Sequence, residues 1–289
     1  MRKKTILVAG GDLRYVYTAR ALTKQYQVCA VGFHRKFLPD AEIRLCESAA
    51  DGLPKCDALV LPMPVSDDGV LVNAPFSRQN VPLASLLPCL HPDALVLGGK
   101  FGKARDLFES AGFPVIDYLG SEELAACNAI PTAEGAIQIL LEEMPRTIHG
   151  SRILVLGFGR IGCRMAYALR VLGADVTVAA RAPADRSRAK LLGCKAVDFP
   201  QIEAGNFDVL CNTIPSKVVT REVLSAMPPE SLVLDLASKP GGVDLDAAGE
   251  LGRRVVWALS LPGKTAPVTA GEIIAQTIHQ LIDERGCAG

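Results

Sequence analysis

Arg152-Ile153-Leu154-Val155-Leu156-Gly157-Phe158-Gly159-Arg160-Ile161-Gly162 reads as a short buried strand, a G-x-G-x-x-G turn and the start of a helix. At this spacing each glycine has its own mechanical reason. Gly157 permits the tight turn, Gly159 lets the backbone approach a pyrophosphate, and Gly162 lets helix and strand pack closely. A lone motif of this kind is weak, because a tight βα turn without a ligand carries it too. Its surroundings strengthen it: Ile161, Met165, Ala168, Leu169 and Leu172 keep helical spacing, Gly173 ends the helix, and Asp175 to Ala180 supplies a returning strand. Gly157, Phe158, Gly159, Arg160, Ile161 and Gly162 are therefore expected to bind a dinucleotide.

The end of that second strand bears on which dinucleotide. An NAD site usually places Asp or Glu there, about 20 residues on, to hold the ribose 2′ hydroxyl. Here Ala179-Ala180-Arg181 is followed by Arg186, Ser187 and Arg188. A carboxylate would repel a 2′-phosphate, whereas guanidinium groups bind one through charge-assisted bonds. The expected cofactor is NADP with Arg181 as principal contact; Arg186 and Arg188 read equally well as a solvated helix face. Asn212-Thr213-Ile214-Pro215 and Asp235 to Gly242 each follow a buried strand. Ligands of open parallel sheets bind beyond the strands' carboxyl ends, so Thr213, Ile214, Pro215 and Ser238 join the cofactor set, although Pro and Gly there are also ordinary turn formers.

Working outward, short apolar runs alternate with helical periodicity twice along the chain, the signature of βα units and parallel sheets. Strands are expected at Thr5 to Gly10, Gln27 to Phe33, Ala58 to Pro62, Ala94 to Gly98 and Pro114 to Ile116, with helices at Leu13 to Lys24, Leu83 to Cys89 and Lys103 to Ala111. The second half repeats the pattern with strands at Arg152 to Leu156, Asp175 to Ala180, Asp208 to Thr213, Ser231 to Leu236 and Arg254 to Leu259. Its helices are expected at Arg160 to Leu172, Arg186 to Leu192, Arg221 to Ala226 and Leu245 to Leu251. The fold class is α/β: two Rossmann-like, doubly wound parallel-sheet domains joined by interdomain helices. The expected division is an N-terminal substrate domain, 1–127 plus 272–289, and an NADP-binding domain, 128–271. Asn128 to Glu134 leads into a connecting helix at Gly135 to Met144. Thr269-Ala270-Gly271-Glu272 has a capping-box pattern and opens an amphipathic helix that stops at Gly286. With no parallel strand left to feed, this helix is expected to cross back onto the first domain.

Composition narrows the function classes. The 289 residues carry 31 Lys+Arg against 31 Asp+Glu, so the net charge is zero. Sequence-independent binding to nucleic acid or anionic membrane needs a cationic surplus, which this balance lacks. The mean hydropathy of +0.25 prompts a search for membrane spans, but the apolar runs are short and bounded by turn formers. Met1 to Gly11 imitates a signal peptide until Asp12 and Arg14 interrupt it, so a retained N-terminus and a cytoplasmic protein are expected. Nine scattered cysteines without a C-x-x-C pair favour reduced, mostly buried thiols over disulfides or zinc. The four histidines show no metal-ligand spacing, and no metal is expected.

The N-terminal unit begins as a degenerate copy of the same turn. In Gly10-Gly11-Asp12-Leu13-Arg14-Tyr15 the second and third motif glycines are Asp12 and Tyr15, which argues against a second dinucleotide. A helix N-terminus beside Arg14 remains, suited to a smaller anion. Gly98-Gly99-Lys100-Phe101-Gly102 is a second such turn, whose glycines and Lys100 are read as a carboxylate clamp. Arg14, Lys100, Arg181, Lys239 and Lys264 all fall on turns expected to face one cleft. As a group they favour an anionic substrate, although each alone reads equally as a solvated charge.

Gly10 to Tyr15, Asn128-Ala129-Ile130-Pro131-Thr132-Ala133-Glu134-Gly135, the Gly157 turn and Leu261-Pro262-Gly263-Lys264-Thr265-Ala266-Pro267-Val268-Thr269-Ala270-Gly271-Glu272 together resemble the dipicolinate synthase A-subunit family of spore-forming bacteria. The resemblance covers nearly the whole chain; the Asn128 and Leu261 segments are its specific part. It implies NADP-dependent oxidation of dihydrodipicolinate to dipicolinate, in the lysine biosynthetic branch, within the mother cell during sporulation. It also implies a flavoprotein-like B-subunit. The reading extends to a small dicarboxylate substrate held by Arg14, Tyr15, Lys100, Asn128 and Thr132, to Lys264 and Lys100 as catalytic residues, and to a homo-oligomer. No residue stands out as the base. An NADP-dependent dehydrogenase of another small carboxylic acid and a non-catalytic NADP-sensing Rossmann protein stay open as alternatives.

Overall fold

The buried apolar runs form strands in the computed structural model, which describes residues 3–48 and 53–286; Met1, Arg2 and Cys287, read above as leader-like start and buried thiol, lie outside them. In the first half the elements are β1 (Thr5–Ala9), α1 (Leu13–Thr23), β2 (Gln27–Val31), β3 (Ile43–Cys46), β4 (Cys56–Val60), β5 (Leu90–Gly98), α2 (Ala104–Ser110) and β6 (Val115–Asp117). Helix α3 (Glu122–Glu143) follows. The second half comprises β7 (Arg152–Leu156), α4 (Arg160–Val171), β8 (Asp175–Ala179), α5 (Pro183–Leu191), β9 (Lys195–Val197), β10 (Val209–Asn212), α6 (Arg221–Ala226), β11 (Leu232–Asp235), α7 (Leu245–Glu250) and β12 (Arg254–Trp257). Helices α8 (Leu261–Thr265) and α9 (Pro267–Gly286) close the chain.

Two parallel six-stranded sheets result, in the orders β3-β2-β1-β4-β5-β6 and β9-β8-β7-β10-β11-β12. Counted within its own half, each runs 3-2-1-4-5-6, the doubly wound Rossmann order. Apolar clusters lie on both faces of each sheet, which is why the strands read as continuous hydrophobic runs. The chain divides into two compact units, Met1–Asn128 with Ala266–Gly289, and Ala129–Thr265.

Several expectations need correction. Each sheet has six strands, not five. The missed ones, β3 and β9, are short strands at sheet edges carrying Arg44 and Lys195, so they lack the buried apolar run that marked the others. Leu83–Cys89 winds as a 3-10 helix containing Pro88, and α5 begins at Pro183, where proline's fixed φ suits a first turn. The connecting helix starts at Glu122, so Asn128 to Glu134 is helical. Pro131 deprives the Cys127 carbonyl of its usual i−4 donor, but buried Ala129, Ala133, Ala136 and Leu140 hold the segment by packing. By length and composition α3 alone, among the described residues, reaches the dimensions of a membrane span.

Helix α9 starts at Pro267, so Thr269 to Glu272 lies within the helix instead of capping it. It packs on α1 of the first unit, where Ile274, Ala275, Ile278 and Ile282 join Val16, Ala19 and Leu22 in one core. Thr18 Oγ1 donates to the Gly271 carbonyl at 3.0 Å, and the Tyr26 hydroxyl lies 2.6 Å from His279 Nδ1. The approach is close because Gly271 has no side chain: a Cβ there would stand 2.5 Å from the Arg14 carbonyl oxygen and 2.6 Å from Tyr17 Cβ. Gly271→Ala is expected to force the two helices apart and cost about 1–3 kcal/mol, read as a lower denaturant midpoint. An unchanged midpoint would show that this contact yields without strain.

Candidate functional site

The glycine turn after β7 has the form its sequence implies. Gly157 adopts φ +90, and a Cβ there would meet Thr213 Oγ1 at 2.6 Å and Ile214 Cγ1 at 2.9 Å. A Cβ on Gly162 would run into the Gly157 carbonyl, so this glycine seats α4 on the turn. Gly159 differs: nothing stands within 4 Å of its missing Cβ, and it is exposed. It is also the N-cap of α4, and no side chain caps that helix end. An open-faced glycine at an uncapped helix N-terminus fits a pyrophosphate, whose oxygens accept from the first-turn N–H groups. Phe158 is buried and Ile161 packs on the same core, so these two contribute backbone to the turn, not side chains.

Arg181 lies exposed just beyond β8, its guanidinium carbon 5.9 Å from the centre of the Phe199 ring. Arg186 has a different task. Its Nη1 donates to the carbonyls of Ala180 at 2.7 Å and Arg181 at 2.6 Å, and it lies 3.6 Å from Asp198. It therefore fixes the backbone that presents Arg181. Arg188 pairs with Asp185 on α5.

Thr213 uses its hydroxyl internally, donating to the Leu156 carbonyl at 2.8 Å, and so forms a wall of the glycine turn; Ile214 lies over it, and Pro215 and Ser238 are exposed. A buried pair unnoticed in the sequence organises these turns. Asn212 Nδ2 donates to Asp235 Oδ1 at 2.8 Å and to the Ile214 carbonyl at 3.0 Å, while Asn212 Oδ1 accepts from Ile214 N. Asp235 also accepts from Ala237 N at 3.1 Å and Gly242 N at 2.8 Å. The available signal was a polar residue at the last position of two apolar strands, in register with each other.

The degenerate turn of the first unit is filled by its own chain. Gly11 N donates to the Asn73 carbonyl at 2.9 Å, and a Cβ on Gly10 would meet Val72 at 2.6 Å. Asp12 caps α1, its Oδ1 accepting from Arg14 N at 3.0 Å. The small-anion site expected at this helix end is thus taken by a native carboxylate. Arg14 is likewise engaged, giving Nε and Nη2 to Asp12. Burial opposes its charge most strongly, yet the hydrogen bond to Asp12, together with the fields of Tyr15, Asp12 and Tyr118, raises its pKa. Tyr15 is a core residue. Its hydroxyl shares a 2.5 Å hydrogen bond with Tyr118, which donates to the Leu61 carbonyl, and burial pushes both phenol pKa values up. Neither residue offers the open contact expected for a substrate.

Lys100 does. Its turn packs tightly at Gly98 against Val65 and at Gly99 against Met63, so the glycines are held by protein and do not form the expected clamp. Lys100 N donates to Asp117 Oδ2 at 3.0 Å, its side chain is exposed, and its φ is +54. A lysine kept in the left-handed region, where glycine would be unstrained, is a local cost that points to its side chain. Lys264 is exposed on α8, not on a turn, and Lys239 is exposed beyond β11. Asn128 and Thr132 are half-buried, one helical turn apart on α3, and each already has a protein partner. Among the described residues no group of three potential ligands is placed to hold a metal. Six of the eight described cysteines are buried, and Cys127 and Cys163 are half-buried.

Comparison with known proteins matches a separate family model to each half of the chain. Residues 5–119 match the model of the N-terminal domain of the dipicolinate synthase A-subunit. Residues 132–238 match that of the D-isomer specific 2-hydroxyacid dehydrogenase NAD-binding domain. The second unit is thus a nicotinamide-dinucleotide domain of an oxidoreductase. Among solved structures, the dipicolinate synthase A-subunit from Bacillus subtilis superposes with TM-score 0.89 at 31% identity, covering 100% of this chain and 99% of that one. Its Bacillus halodurans counterpart gives 0.88 at 30%, covering 96% and 97%. A Sinorhizobium meliloti transhydrogenase, 18% identical with TM-score 0.75 over 98% and 94% of the two chains, shares the fold. In sequence, the dipicolinate synthase A-subunit of Bacillus subtilis (strain 168) is 33% identical over 286 residues, 96% of each chain. With that identity over almost its whole length, the chain belongs to the dipicolinate synthase A-subunit family.

Proposed function

We propose that this chain oxidises dihydrodipicolinate to dipicolinate with NADP, in the mother-cell cytoplasm of a sporulating bacterium, together with a separately encoded flavoprotein-like B-subunit. Family membership supports the substrate and the partner. The observation that carries the cofactor reading is the uncapped α4 N-terminus at open-faced Gly159, on the same sheet edge as exposed Arg181.

The bound nicotinamide would supply the hydride acceptor. First-turn N–H groups of α4 hold the pyrophosphate, with Gly157 and Gly162 keeping the turn tight enough for that approach. Arg181 takes the 2′-phosphate, and Arg186 keeps its backbone in place. Lys100 holds a substrate carboxylate, Lys264 assists, and Asn128 and Thr132 contribute polar contacts from α3. Loss of a hydride and a proton makes the ring aromatic. Much of the driving force is therefore intrinsic to the substrate, and these residues serve mainly to orient it.

Arg181→Ala is expected to raise the Kd for NADP about tenfold or more and to leave that for NAD nearly unchanged, since only one cofactor carries the extra phosphate. Equal loss for both would remove Arg181 from this role. Lys100→Gly relieves the left-handed strain, so stability should hold or rise by up to about 1 kcal/mol. Its kcat/KM for dihydrodipicolinate should fall about tenfold or more. Wild-type kcat/KM in this well-folded variant would refute the carboxylate contact. Reduced-nicotinamide absorbance should grow when the chain, with its B-subunit, receives dihydrodipicolinate and NADP; cofactor binding without turnover would favour a sensor.

A further inference from the structure

The strap that fills the first unit's glycine turn leaves another part of that Rossmann unit open. In a sheet of order 3-2-1-4-5-6, a dinucleotide places its pyrophosphate at the glycine turn and its adenosine ribose beyond the second strand. Residues 72–74 occupy the first position. Beyond the ends of β2 and β3, however, lies a cavity of about 300 Å³.

Phe33 and Leu45 give this cavity apolar lining, and Arg35, Glu47, Ser77 and Arg78 give it polar lining. The two arginines come from separate segments, and both are exposed. No ion pair joins either one to a carboxylate among the described residues. The segments are locked to each other and internally. His34 N donates to the Phe76 carbonyl at 2.7 Å, and the Phe37 and Phe76 rings stack with centroids 4.2 Å apart. Lys36 N donates to His34 Nδ1 at 3.1 Å, which fixes the bend carrying Arg35. Ser77 Oγ donates to the Gln79 carbonyl at 2.6 Å and accepts from Gln79 N, which fixes the turn carrying Arg78. Two guanidinium groups on preformed turns need little backbone ordering to meet an anion.

We propose that this cavity binds a small sugar monophosphate of about nucleoside monophosphate size, with its phosphate on Arg35 and Arg78 and a sugar hydroxyl donating to Glu47. The guanidinium fork suits phosphate oxygens. One carboxylate beside two arginines matches a ligand with both an anionic and a hydroxylated end. Phe33 and Leu45 provide the apolar contact that usually fixes such a ligand's body. The strap at Asn73 excludes a second phosphate-linked nucleoside, so the ligand is a mononucleotide or sugar phosphate, not a dinucleotide.

The test is calorimetric titration of AMP, ribose 5-phosphate, inorganic phosphate and dipicolinate into the full chain, with the α4 site first saturated by NADP, or by NAD if that binds tighter. That first saturation reports separately on the cofactor reading. AMP or ribose 5-phosphate should bind once per chain, and Arg35→Ala and Arg78→Ala should each weaken it about tenfold or more. Glu47→Gln should weaken AMP but not inorganic phosphate. Both arginines are exposed, and an unchanged denaturant midpoint for the first unit will verify that the variants fold. No AMP or ribose 5-phosphate binding, binding indifferent to both arginines, or equally tight binding of phosphate or dipicolinate would overturn the proposal.

Discussion

The second unit's cofactor turn depends on one close approach, that of Gly162 to the Gly157 carbonyl. Any side chain at either position would lift α4 off β7 or strain the turn. With α4 seated, its free first-turn N–H groups open onto the side where Gly159 has no neighbour. Because β7, β8, β10 and β11 run parallel and in register, their carboxyl ends bring Gly157, Arg181, Thr213 and Ser238 to the same sheet edge. One steric allowance thus fixes where the helix end opens and which turns surround it.

A second layer holds those turns in shape. The Asn212–Asp235 pair satisfies backbone donors from both neighbouring turns in a site with almost no water access. A buried polar network of this kind stabilises only when its members are paired, and then it favours one loop geometry. Arg186 does the same for the β8 end from a half-exposed position. Around the cofactor turn, internal hydrogen bonds thus tie down the loops, leaving the exposed Gly159 and Arg181 for solvent or ligand.

Much of the fold was legible because its central strands are buried on both faces. Residues 153–156 and 28–31 announce themselves as unbroken apolar runs. Ile43–Cys46 and Lys195–Val197 do not, since an edge strand needs only part of that pattern and carries charge that masks the rest. Within the site, motif spacing located the glycine turn, but side-chain chemistry was harder to assign. Arg14 looked like a free cation because sequence cannot show that Asp12, two residues earlier, turns back to bind it. Tyr15 looked ligand-facing because its partner Tyr118 lies 103 residues away. Lys100 was legible as a turn residue, whereas its left-handed backbone required coordinates.

The strap over the first glycine turn also sets how the two units respond to their surroundings. Where Asn73 and Asp12 stand in for a ligand, the binding groups are satisfied by the same chain, at an effective concentration that never varies. The first unit's turn is therefore complete whatever the dinucleotide pool holds. The second unit leaves the equivalent helix end without a side-chain cap, so a dinucleotide bound there would raise its stability in the manner of any linked equilibrium. One architecture used twice thus has one half with a built-in occupant and one half whose turn stays open.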